Sequence, residues 1–85
     1  MKVFLRTADL TKKAEMDIDL QYKTEDVIQA AIDEWVLPTD TDYNLVNVTR
    51  NIVVRPGTDL LTNGVQEGDQ LEIQPILVAG RHELF

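Results

Sequence analysis

Apolar side chains fall on alternate positions over the first twenty residues and then move to helical spacing, a change of period that confines the fold to a sheet with a helix laid on it. Met1, Val3 and Leu5 share one parity, and beyond a turn around Ala8 to Lys12 the residues Ala14, Met16, Ile18 and Leu20 share another. The second run carries Glu15, Asp17 and Asp19 on its other side. This predicts an antiparallel hairpin with one buried and one wet face, and reads the acids as a solvated surface rather than a cation site.

From Thr24 the apolar residues Ile28, Ala31, Ile32 and Trp35 recur at helical spacing, with Glu25 and Asp26 in the first turn, where the helix dipole favours negative charge. Thr24 is the expected N-cap. Pro38 cannot continue a helix and pushes Leu37 out of helical geometry, so the helix is expected to stop near Val36. Trp35, on the inner side, is read as core.

Tyr43 to Val48 and Ile52 to Arg55 read as two short strands, with Thr49 to Asn51 between them and Pro56-Gly57 behind. Leu60 and Leu61 then precede the turn-rich Asn63-Gly64 and Glu67-Gly68-Asp69, expected to form a short helical turn or tight loop. Leu71 and Ile73 alternate with Glu72 and Gln74 in a last strand that Pro75 limits. The order is ββαβββ, or ββαββ with a broken edge: an α+β architecture of one helix packed across one face of a mixed four- to five-stranded sheet.

Eighty-five residues allow one compact core, and 44% hydrophobic with 27% charged residues is ordinary for a folded soluble chain. A net charge of −7 repels phosphate backbones and anionic lipid, so neither nucleic acid nor a membrane is an expected partner. Cysteine is absent, which removes disulfides, thiolate metal sites and a cysteine nucleophile. Serine is absent too, and no phosphate-cradling glycine loop occurs, so no catalytic role, cofactor or metal is expected. His82 is the only histidine and reads as a solvated tail residue; Asp40 and Asp42 alone do not make a calcium loop. Without a long apolar run at the N-terminus the expectation is a cytoplasmic protein. Asn47-Val48-Thr49 matches the glycosylation pattern, a three-residue match common by chance.

The chain resembles ubiquitin from end to end, beginning with Met1-Lys2-Val3-Phe4-Leu5-Arg6-Thr7. Thr24 through Ile32 is similar to the start and core face of that family's helix, with Ile28 and Ile32 on its core positions, and Leu37-Pro38 falls where the helix ends. Leu60, Thr62-Asn63-Gly64-Val65, Leu71 and Ile73 keep the spacing of the final loop and strand, and Gly80 lies where the terminal glycine lies. The run Gly68-Asp69-Gln70-Leu71-Glu72-Ile73 is also similar to the small ubiquitin-like accessory proteins of bacterial type VII secretion.

The resemblance implies a β-grasp domain over residues 1–78 and a flexible tail over 79–85, with processing between Gly80 and Arg81. Ala79 stands where ubiquitin has its other terminal glycine, and five residues follow Gly80. It further implies a bacterial modifier precursor served by an activating enzyme, a transfer enzyme and a processing peptidase, and joined to a protein target. The small residues Val78, Ala79 and Gly80 suit narrow enzyme channels. Two other readings follow from the same likeness: a non-covalent accessory module, and a sulfur carrier. For partner binding the outward parity points to Phe4 with Val46 or Val48; for chain linkage the lysines are Lys2, Lys12, Lys13 and Lys23.

Overall fold

The computed structural model describes residues 1–19 and 21–76, so the tail positions Ala79, Gly80, Arg81 and His82 lie outside the described residues. Strands β1 (Lys2–Thr7) and β2 (Lys13–Asp17) form the antiparallel hairpin, with Lys2 opposite Asp17 and Arg6 opposite Lys13. In the turn between them Asp9 Oδ1 accepts from Thr7 Oγ1 at 2.6 Å, Thr11 Oγ1 at 2.7 Å and the Thr11 amide at 3.0 Å. Donors crowded on one oxygen favour the ionised form and bring the Asp9 carboxyl down to about 2, the Thr7 hydroxyl contributing most.

Helix α1 (Thr24–Trp35) covers one side of the sheet. Thr24 is its first helical residue and not the cap: Lys23 occupies that position, and its amide donates to Asp26 Oδ2 at 3.0 Å. The Thr24 hydroxyl turns inward and donates to the Arg55 carbonyl at 2.7 Å. Thr24, Val27 and Ala31 are the buried residues of the helix, whereas Ile28 and Ile32 are only partly buried. Trp35 is likewise partly buried and packs against the core. The helix ends at Val36, which adopts a left-handed backbone (φ 52°), and the Leu37 amide returns to the Ile32 carbonyl at 3.1 Å, as Pro38 demands.

Strands β3 (Tyr43–Asn47), β4 (Ile52–Val54) and β5 (Gln70–Pro75) complete a five-stranded sheet in the order β2-β1-β5-β3-β4. The first and last strands lie side by side in parallel, Leu5 beside Leu71 and Thr7 beside Ile73, and every other pair is antiparallel. This is the mixed sheet and single helix of a β-grasp fold. The segment around Leu60 makes turns rather than helix; Leu60 is buried and Leu61 exposed.

Among the described residues four polar side chains are buried, Thr7, Thr24, Asn47 and Asp69, and the last two pair with each other. Asn47 is fully buried, and Asp69, 2% exposed, accepts from Asn47 Nδ2 at 2.8 Å, Arg50 Nε at 2.8 Å and the Gln66 amide at 2.9 Å on one oxygen, Oδ2. Burial acts to raise the Asp69 pKa, but donation by Arg50, Asn47 and Gln66 together outweighs it and holds the carboxyl below its ordinary value. Its contribution to stability is therefore present above the unfolded-state value and lost as pH falls through the lower folded one. Asp69→Asn should reduce stability in neutral urea denaturation by about 2 kcal/mol. It should also lessen the loss of stability as pH falls below the ordinary carboxylate range, where an unchanged acid limb would contradict the assignment.

Candidate protein-binding face

The helix covers only one side of the sheet, and alternation sends Lys2, Phe4 and Arg6 of β1 to the other. Register then fixes what stands beside them. Phe4 pairs with Gln70, Arg6 with Glu72, and Glu72 with Val46 on its far side. Val46 pairs in turn with Val53, and the Val48 amide donates to the Gln70 carbonyl at 2.8 Å. Phe4 is 41% exposed, Val48 38% and Val53 55%, while Val46 is half-buried.

The expected residues Phe4, Val46 and Val48 thus share one face but do not form one cluster. Strand β5 runs between them and contributes Gln70, Glu72 and Gln74. Glu72 accepts from Arg6 Nε at 2.8 Å on one oxygen and from Gln74 Nε2 at 2.7 Å on the other. Arg6 and Glu72 are mostly shielded from water, so this pair lies flat and fixes the two apolar flanks at a set separation. A partner bridging the flanks would have to match a charged stripe as well as apolar ground, which restricts what can bind.

Val53 was missed in the sequence because which of Ile52, Val53 and Val54 faces outward depends on pairing across the Thr49 to Asn51 loop. The observed pairing of Leu45 with Val54 buries Val54 and turns Val53 out.

The lysines Lys2, Lys12, Lys13 and Lys23 are all exposed but are not gathered together. Lys2 and Lys13 stand on β1 and β2, Lys12 precedes β2, and Lys23 caps the helix. Lys2 Nζ lies 3.5 Å from Glu15.

Where β5 ends, a groove of about 280 Å³ runs past Leu37, Pro38, Tyr43 and Pro75. The Tyr43 hydroxyl donates to the Pro38 carbonyl at 2.8 Å, and burial, with the Asp40 charge behind it, raises its pKa. Among the described residues no three His, Cys, Asp or Glu side chains are placed to hold a metal ion, and no helix is long and apolar enough to cross a membrane. Compared with protein-family models and with curated proteins, the chain matches none.

Because a one-residue slip would exchange the two faces of β4, neighbouring valines test the assignment. Val54→Ala should cost about 2 kcal/mol in urea denaturation and Val53→Ala less than about 1 kcal/mol. Equal costs would place the face wrongly.

Proposed function

We propose that this chain is a bacterial ubiquitin-like protein modifier, made as a precursor, processed after Gly80 in the cytoplasm and joined through the Gly80 carboxylate to a protein target. The observation that supports the reading is where the described part of the sheet ends. Strand β5 is held between β1 and β3, and just beyond it the Ile76 amide donates to the Asp42 carbonyl at 2.8 Å, four residues before Gly80. Four residues reach at most about 14 Å, far enough for a carboxylate to enter an enzyme while the domain stays outside.

The chemistry asked of the chain is small. A processing peptidase hydrolyses the Gly80–Arg81 bond and frees the carboxylate. An activating enzyme lets that carboxylate attack the α-phosphorus of a nucleoside triphosphate, with pyrophosphate leaving, and a thiol of the activating enzyme then displaces the nucleotide to form a thioester. The transfer enzyme takes over the acyl group, and an amine of the target displaces its thiolate to leave an amide. Every catalytic group belongs to the partners; this chain supplies an accessible carboxylate next to the side-chain-free Gly80 and a face by which it is recognised.

A second reading, a non-covalent interaction module, is favoured by the outer sheet face itself, where Phe4, Val48 and Val53 stay exposed without involvement of the tail. Truncation separates the two. In the host that encodes its partners, a chain ending at Gly80 should form higher-mass adducts without the peptidase, and a chain ending at Ala79 should form none. If the chain ending at Ala79 supports the same phenotype as the full chain, the modifier reading fails and the binding module stands.

A further inference from the structure

Asparagine cyclises fastest where the next residue is glycine, because the backbone nitrogen that attacks the side-chain carbonyl then has no neighbouring side chain to block its approach. Asn44 precedes Leu45, Asn47 precedes Val48 and Asn51 precedes Ile52; of the asparagines only Asn63 precedes a glycine. Gly64 has a φ of 75°, in the left-handed region that other residues enter at a cost. The turn therefore calls for the dipeptide that is chemically least durable.

The fold restrains that chemistry. Asn63 is half-buried in the turns that follow β4, and both ends of its amide are held. Oδ1 accepts from the Arg55 amide at 2.9 Å, while Nδ2 donates to Thr58 Oγ1 at 2.6 Å and to the Asp59 carbonyl at 2.8 Å. The Gly64 amide, which would have to attack, donates to the Leu61 carbonyl at 3.0 Å. All these bonds must break before the two groups can meet, so the reaction proceeds only from an opened turn. The same turn holds the start of the helix: the Thr24 amide donates to the Thr58 carbonyl at 3.2 Å and the Leu60 amide to the Tyr22 carbonyl at 3.0 Å. Leu60 and Val65, which flank Asn63 in the chain, are buried in the core.

We propose that Asn63-Gly64 is a deamidation site gated by opening of residues 58–64. In the opened turn the Gly64 nitrogen gives up its proton and bonds to the Asn63 side-chain carbonyl carbon; the bond from that carbon to Nδ2 breaks, and Nδ2 takes up a proton and leaves as ammonia. Water then opens the cyclic imide at either carbonyl, leaving aspartate or isoaspartate at position 63. Overall one water is consumed and one ammonia released. Neither product refits the turn. A carboxylate has no donor to offer Thr58 Oγ1 or the Asp59 carbonyl, and it adds a negative charge one turn from the Asp59 carboxylate. In isoaspartate the side-chain methylene enters the main chain and lengthens it just before Val65, whose amide donates to the Leu60 carbonyl at 3.1 Å. Opening permits the reaction and the reaction favours opening, so a chain that has loosened here is marked irreversibly. The reaction uses no residue of the tail or of the outer sheet face, and its failure would leave the modifier reading standing.

The test is to incubate the full chain in mildly alkaline buffer beside the blocked peptide Leu-Thr-Asn-Gly-Val and to follow the asparagines by fragment mass spectrometry. The peptide should convert at least about tenfold faster than the folded chain, and urea beyond the unfolding midpoint should bring Asn63 to the rate of the peptide in the same urea. Thr58→Val, which removes one acceptor of the Asn63 amide, should speed conversion in the folded chain about threefold. Asn63→Asp, made directly, should lower the urea midpoint and speed exchange of the Leu60 and Val65 amides about tenfold. The proposal is overturned if folded chain and peptide convert at one rate, if Asn51 converts before Asn63, if Asn63 persists in urea while the peptide reacts, or if Asn63→Asp matches the parent in midpoint and exchange.

Discussion

A buried carboxylate decides where the last strand goes. Asp69 lies at the junction between the Gln66 to Gly68 turn and β5, and it draws donors from that turn, from the last residue of β3 and from the β3–β4 connection. An ionised group taken out of water is tolerated only when donors replace the lost solvent, and Asn47, Arg50 and the Gln66 amide do so. Backbone bonds then extend the same knot: Gly68 donates to Lys2, Phe4 to Asp69 and Val48 to Gln70. Together these place β5 between β1 and β3 with no freedom to slide. The charged stripe of the outer face inherits that register.

This organisation was partly legible in the chain alone. Alternation marked β1 and β2, and Leu71 with Ile73 marked β5, because residues two apart must share a face of any strand. Pro38 marked the helix end by local sterics. The order of elements and the single core followed, and with them the α+β sheet-and-helix layering. What stayed hidden depends on partners far along the chain. Thr24 has the chemistry of a cap, and only the proximity of the Arg55 carbonyl turns its hydroxyl inward. The line of Thr24, Val27 and Ala31 was present in the spacing, but Ile28 and Ile32 offered a competing apolar stripe with larger side chains.

Asn47 and Asp69 were harder still. Each looks like a surface or turn residue by type, and Asn47 even opens a glycosylation pattern, yet it is fully buried. Their burial rests on mutual satisfaction across twenty-two positions, a pairing that no local pattern announces. The outer face was legible in parity, through Phe4, Val46 and Val48, but not in composition. Its division by Arg6 and Glu72 comes from the parallel pairing of the first and last strands.

The described residues form one sheet-and-helix domain in which the outer sheet face carries a charged stripe between apolar flanks. The proposal that the chain is a modifier rests on the fate of the five residues after Gly80. The direct measurement is the intact mass of the protein recovered from its native host, with its covalent adducts resolved alongside. Loss of the mass of Arg81 to Phe85, together with adducts linked through Gly80, is the result expected of a processed modifier. An unclipped chain without adducts, while the partner enzymes are expressed, would contradict it.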